Sequence, residues 1–236
     1  MSTSSHKCPV CNGGRFIVYR NRELGQCESC GANERTRVTA LFLEKHIRLG
    51  PGQRVLHLAP EKQLAPYFIE KVGAGYEPCD FDPARYQGKI PVPVRRLDLC
   101  TDLKALESET YDLVLHNHVM EHVPCNWTLV LQGLQRVVKK GGVHLFSIPI
   151  LKNRYFAEDL NPALTEAQRE ERFRQRDHVR MFGKLDFASV VAPIFDLPTD
   201  YSLERYFSAE ELKQAGIRAA LWTVGSTSVF LVKKAV

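Results

Sequence analysis

YDLVLHNHVMEHVPCNWTLVLQGLQRVVKKGGVHLFSIP, residues 111–149, reads as strand, loop, helix, turn, strand. Residues 111–115 are a short apolar run with one aspartate, as expected of a strand buried on both faces of a parallel sheet. Residues 127–138 are amphipathic, with Leu131, Leu134 and Val138 near helical spacing. Lys139 and Lys140 are expected in the last helical turn, where cations suit the dipole. Gly141-Gly142 is then the helix stop, and residues 143–148 the next strand. One βαβ unit results, so the polar loop 116–124 leaves the carboxyl end of a strand. Open α/β sheets bind ligands at that edge. Three histidines, Asn117 and Glu121 make the loop a candidate site.

The chain has 236 residues, 44% apolar and 25% charged, which excludes long disorder and allows one substantial α/β domain with a small appendage. No run approaches the ~20 apolar residues of a transmembrane helix, so no membrane association is expected. The N-terminus lacks the apolar core of a signal peptide, and a cytoplasmic location is expected. A formal net charge of +5 permits nucleic-acid contact without requiring it, because the basic residues are dispersed.

Four of the seven cysteines fall as Cys8-x2-Cys11 and Cys27-x2-Cys30. Each pair turns two thiolates toward one ion, the spacing of a tetrahedral structural zinc site. Two disulfides would suit an oxidising compartment, and a redox dithiol would need one pair only. Cys79, Cys100 and Cys125 have no partner by pattern and read as free thiols.

Working outward, residues 1–32 form the ribbon, with a strand over 15–19. Residues 33–52 supply a docking helix (33–46) and linker, and 53–236 the main domain. Within it, a first strand is expected over 54–58, a first helix over 61–72 and a second strand over 76–81. A short third strand ends near Asp98, and later strands lie near 194–197 and 227–232. Residues 153–183 are charge-rich, with a helix over 165–175, and read as an insertion over the site.

In order, these pieces resemble a class I S-adenosylmethionine-dependent methyltransferase, on the strength of YDLVLHNHVMEHV followed by LQRVVKKGGVHLFSIP. A narrower resemblance covers nearly the whole chain. Bacterial methyltransferases with an N-terminal Cys-x-x-Cys pair carry segments like CESCGANERTR, LHLAPE at 56–61 and DHVRMFG at 177–183. The resemblance implies a doubly wound, Rossmann-like, seven-stranded α/β sheet with a small N-terminal zinc ribbon. It implies S-adenosylmethionine and structural Zn2+ as cofactors. The first-strand loop departs from the broad superfamily in having no glycine. His57, Ala59, Pro60 and Glu61 are expected to line the cofactor, with Pro60 in the first turn of a helix, so that the loop still presents backbone donors to a carboxylate.

Asp80 is the expected ribose acceptor at the end of the second strand, with Asp82 as the alternative; Asp82 could equally cap a turn. Asp98, with Leu99 flanking, resembles the family's adenine contact, or else caps a turn. His116 and Asn117 are expected at the methionine end. For the acceptor's proton, His118 and His178 are the candidates, since imidazole titrates near neutrality. Glu121, Arg154, Tyr155, Asp177 and Arg180 are expected to bind the acceptor. Glu158 is expected to help shape its pocket, and His122 to pack. The favoured function is methyl transfer to a small molecule such as a sugar. Two alternatives stand beside it. One is an rRNA, tRNA or translation-component methyltransferase docking through the ribbon with Arg35, Arg37 and Arg48. The other is a non-catalytic zinc-ribbon binding module. Oligomeric state is not legible.

Overall fold

The structure, a computed structural model, describes residues 6–236, so residues 1–5 of the expected ribbon lie outside it. Among the described residues, no helix is long and apolar enough to cross a membrane. The N-terminal ribbon is a hairpin of β1 (Phe16–Tyr19) and β2 (Arg22–Cys27). Arg20 and Asn21 at its tip take φ of +51° and +59°, matching the twist of a two-residue hairpin turn. The polar β2 sequence RELGQC carries no apolar signal and was not expected to be a strand.

Helix α1 (Glu34–Lys45) starts at Asn33, whose side chain accepts from the Thr36 N–H, and runs into the main domain. The ribbon is riveted to that domain by Arg37, which is fully buried. Its guanidinium donates to the carbonyls of Leu24, Ala32, Ala215 and Gly216 and lies 4.3 Å over the Phe16 ring. Arg37 is therefore unable to meet phosphate. Arg48 is exposed and lies beyond the C-terminal end of α1, about 15 Å of helix from Arg35 to that end. The three arginines form no common surface.

The main sheet contains β3 (Val55–Leu58), β4 (Tyr76–Asp80), β5 (Arg95–Arg96), β6 (Tyr111–Asn117), β7 (Val138–Ser147) and a later strand, Val229–Lys233. In space β5, β4, β3, β6 and β7 are parallel neighbours in that order, and Val229–Lys233 pairs antiparallel on β7. Helix α2 (Ala65–Val72) and helix α3 (Trp127–Val137) make the crossovers. Val55, Leu56, Leu113, Val114, Leu115, Leu145 and Phe146 are at most 2% exposed, so both sheet faces are covered. Each such aliphatic or aromatic side chain contributes roughly 1.5–3 kcal/mol.

Among the described residues the main sheet has six strands rather than seven. The expected strand near 194–197 is a 3-10 turn, Ala192–Ile194, and coil. Pro193 in the turn and Pro198 beyond it cannot donate to a ladder. The Gly141-Gly142 pair also sits differently. Helix α3 ends at Val137 and β7 begins at once, while residues 139–142 bulge out between the Tyr111–Val138 and Leu113–Val143 pairs. Gly141 turns the bulge at φ +73°, and Lys139 reaches Asp112 at 2.8 Å instead of capping the helix.

The charged segment after β7 builds a small sheet of its own. Strand β8 (Ile150–Leu151) runs parallel to β10 (Arg180–Gly183), and β9 (Ala157–Glu158) pairs antiparallel on its other side. Helix α4 (Glu166–Phe173) opens with a Thr165–Gln168 capping box. Short helices α5 (Phe187–Val190) and α6 (Ala209–Gln214) precede Val229–Lys233, which is β11.

Candidate active site

The strand order reverses between β3 and β6, so the crevice outside their carboxyl ends is where the topology places a ligand. The β3 end turns sharply at Ala59, φ +47°, where its N–H donates to the Cys79 carbonyl. A methyl is the smallest side chain an L-residue can bring to that left-handed position. Pro60 is buried and does not start a helix. Residues 61–64 make a separate turn, and Pro66 occupies the first turn of α2.

His57 is wholly buried and does not face the crevice, contrary to expectation. Its Nε2–H donates to the Glu61 carboxylate at 2.8 Å, which leaves Nδ1 to accept from the Tyr76 hydroxyl at 3.1 Å. Asn117 donates to the other Glu61 oxygen at 2.8 Å and accepts from Ser147 at 2.7 Å. Burial opposes the Glu61 charge, but His57, Arg35 and Asn117 outweigh it and hold the carboxyl below its ordinary value. Glu61 is thus an ionised carboxylate fixed between His57 of β3 and Asn117 of β6. His116 is a further correction: it is fully buried and meets His144 at 3.0 Å, so it lies under the sheet edge and lines nothing. Burial brings its pKa down to about 3, keeping it neutral. His144, 28 residues away, carried no sequence signal for this pairing.

Along the edge, Asp80 accepts from the Asp82 N–H at 2.8 Å and the Tyr86 hydroxyl at 2.7 Å. Asp82 caps a turn by accepting from the Ala84 N–H, and Asp98 caps another by accepting from Cys100 N–H at 2.9 Å. Leu99 is half-buried beside it. Phe81, unremarked in the sequence, is 64% exposed between the two aspartates. Cys100 and Cys125 are not free thiols: a disulfide joins them across 25 residues, tying the β5 side of the edge to the loop after β6. Cys79 is free and buried.

Beyond that loop lies a cavity of about 470 Å³. The β1–β2 turn, the start of α1, the loop after β6, the end of α4 and residues 226–227 wall it. His118, Glu121, His122, Asp177 and His178 all reach it, although the last two come from a segment more than fifty residues on. His118 sits at φ +54°, with Nε2 donating to the Ser226 carbonyl at 3.0 Å and Nδ1 3.4 Å from Glu121. Glu121 is 1% exposed, and burial pushes its carboxyl up to about 8. Burial first, and then the neighbouring His122 imidazole, bring His178 down to about 4, so it is neutral at pH 7. Arg35 also lines the cavity, and its buried Nε has no partner. Ser226 and Tyr19 were missed, because only the folded chain brings them here.

Three expected acceptor contacts are placed elsewhere. Arg180 is fully buried, donating to the carbonyls of Met120, Val123 and Cys125 and to Glu158. It ties down the loop from behind, and Glu158 is its counter-ion. Arg154 and Tyr155 are exposed outside the cavity walls, because their backbone packs against Gly183.

The ribbon cysteines converge as well. Sγ of Cys8 is 3.8 Å from Cys30 and that of Cys11 is 3.6 Å from Cys27. Four sulfurs each ~2.3 Å from one ion stand about this far apart. Burial raises the Cys8 thiol to about 11, with Cys27 and Cys11 adding repulsion that a cation would relieve.

Residues 62–146 match the family profile described as "Methyltransferase domain". This span, a little over a third of the chain, is similar to that family. The matched span runs from the turn before α2 into β7, taking in Asp80, Asp98 and the 116–122 loop but not the ribbon or residues 150–183. A comparison with curated proteins finds no match. Among solved structures, the chain is similar to an S-adenosylmethionine dependent methyltransferase from Mesorhizobium loti (17% identity, TM-score 0.38, 48% of this chain and 51% of that one). It is also similar to Haemonchus contortus phosphoethanolamine N-methyltransferase 2 bound to S-adenosyl-L-methionine (14%, 0.43, 85% and 52%). A third likeness is to a Haloferax volcanii complex of the Trm112 methyltransferase activator with a methyltransferase (11%, 0.47, 84% and 88%). The chain spans about a third to a half of the first structures it matches, at 34%, 51% and 49% of their lengths. Likenesses of this depth say nothing about substrate.

Proposed function

We propose that this chain transfers a methyl group from S-adenosylmethionine to a small polar acceptor held in the cavity beneath the ribbon. The observation that carries this reading is the cavity itself. At about 470 Å³ it has the size of a small-molecule site, and it lies beside the carboxyl edge of a methyltransferase domain. Ribbon, α1 and the 150–183 segment wall it in, where a nucleic acid would call for an open basic groove.

The residues of the edge suit the cofactor. The Ala59 turn allows close backbone approach, and Asp80 has two of its roughly four lone-pair sites taken, leaving room for ribose hydroxyls. The exposed Phe81 face and Leu99 suit a purine ring, with Asp98 beside them. Bound there, the cofactor supplies an electrophilic sulfonium methyl, so the protein needs no covalent nucleophile. The chain's own task is to align the acceptor and take its proton. His118 and His178 both face the cavity as neutral imidazoles, while Arg35 and Asp177 offer partners to polar groups. The cationic walls at Arg20, Arg35 and Arg174 favour an acceptor bearing an anionic group. We assign Cys8, Cys11, Cys27 and Cys30 to a structural zinc ion, supported by their sulfur spacing.

Calorimetry with S-adenosylmethionine tests the reading, since an absence of binding at millimolar cofactor would leave only a binding module. Should RNA bind with a salt-resistant affinity, the small-molecule acceptor would be the part to abandon.

A further inference from the structure

Methyl transfer as derived above uses neutral histidines at the cavity, but it does not account for how Glu121, His122 and His178 meet there. One donor atom from each lies within 4.8 Å of the others. Glu121 is 1% exposed, and its Oε2 has no hydrogen-bond partner among the described residues. A buried carboxyl oxygen left unpaired is destabilising, so something should meet it. His122 is held from behind. Its Nδ1–H points at the Asp177 carbonyl (3.3 Å) and the Asp177 Oδ2 (3.3 Å), so Nε2 is bare and faces Glu121 Oε1 at 3.9 Å. A carboxylate gripping the far nitrogen of an imidazole is the arrangement that orients metal-binding histidines. His178 completes the group, edge-on to His122 with ring centroids 4.7 Å apart. Arg35 and Arg180 are the cations nearest Glu121, and Arg85 acts on His122; the carboxyls of Glu61, Glu121 and Glu34 offset the Arg35 charge, and Glu158 that of Arg180.

We propose that Glu121, His122 and His178 bind a divalent transition-metal ion, separate from the ribbon zinc, with open coordination positions facing the cavity. Two imidazole nitrogens and one carboxylate oxygen suit Zn2+, Fe2+, Mn2+ or Co2+, and do not suit Mg2+ or Ca2+, which take oxygen shells. Bond lengths of about 2.0–2.2 Å require the three side chains to draw together from their present separations. Three protein donors leave room for an exogenous ligand, as in open metal sites. What that ligand is rests on the small-molecule reading: an acceptor hydroxyl or carboxylate oxygen would complete the shell. His178 then holds the ion, and His118 is left to take the proton.

The test is a cobalt titration of the metal-stripped full chain, followed by absorption and by metal analysis. Thiolate-to-cobalt charge transfer reports the ribbon, and an added equivalent without charge transfer reports the new site. Wild type should take up about two equivalents, one to each site. His178→Ala and Glu121→Gln should keep the charge-transfer band and lose the second equivalent. Asp177→Asn should keep both, with the second bound about 10–100-fold more weakly. Circular dichroism melts show whether each variant folds, and the outcome is read from whichever does. Uptake of one equivalent by wild type, or of two by both His178→Ala and Glu121→Gln, overturns the site. If the cobalt-loaded wild type fails to bind S-adenosylmethionine, the methyl-transfer reading falls while the metal site stands.

Discussion

Single side chains set the local chemistry through what surrounds them. Cys27 shows this in the ribbon. Burial opposes its ionisation, but the N–H groups of Cys30 and Ser29 and the adjacent thiols bring it down to about 7. A thiol so poised is ready to ligate. Cys27→Ser should therefore abolish the ribbon's metal and lower the wild-type content by about one ion per chain, as read by metal analysis. At the edge, Asp80→Asn keeps the shape but removes the charge facing the crevice. Cofactor affinity should fall about tenfold or more while the melting curve moves little, consistent with the loss of one charge-assisted hydrogen bond of roughly 1.5–3 kcal/mol. Unchanged affinity would transfer the ribose role to Asp82.

Elements, rather than residues, hold the loop after β6 in place. Arg180 in β10 binds three of its carbonyls, and the Cys100–Cys125 bridge ties its far end. Arg180→Met should destabilise the chain by about 3 kcal/mol or more in urea unfolding, since several buried carbonyls lose a charged donor. Helix α6 offers a pH-dependent case. Lys45 first, then the Ser208 N–H and hydroxyl, hold the Glu211 carboxyl at about 2, below its ordinary 4.5. A lowered folded value means the ionised form stabilises the fold above about pH 4.5, and this contribution is lost as pH falls toward 2. The pair is largely solvated, so its share is small. Glu211→Gln should flatten stability over that acid window and leave the neutral-to-alkaline limb unchanged in slope.

Over the whole molecule, the ribbon is a wall of the cavity, so its docking is part of the site. Gly216 takes φ +69°, and a Cβ there would stand 2.5 Å from the Phe16 ring. Gly216→Ala should loosen the ribbon without touching the sheet: proteolysis near residues 28–33 should rise while the main domain stays resistant. The crossover unit at 111–149, the clustering of the four ribbon cysteines and the acidic strand ends were legible because buried strands, Cys-x-x-Cys pairs and turn signals are local patterns. Other features were opaque. The polar strand β2 forms because β1 and the cysteine cluster hold it, and Pro193 disfavours the strand expected at 194–197. Burial turned His57 and His116 into supports, because whether a histidine at a strand's end faces solvent or core depends on what packs against the strand.

Order along the chain was thus enough to point to a methyltransferase-like domain behind a four-cysteine ribbon, since hydrophobic period and cysteine spacing are short-range properties. The cavity is different. It exists only where the hairpin tip, the start of α1, the loop after β6 and residues 173–181 converge. Desolvation in that enclosure lifts Glu121 to about 8 and lowers His178 to about 4. Such shifts arise from neighbours far apart in sequence, and long-range packing alone could supply them.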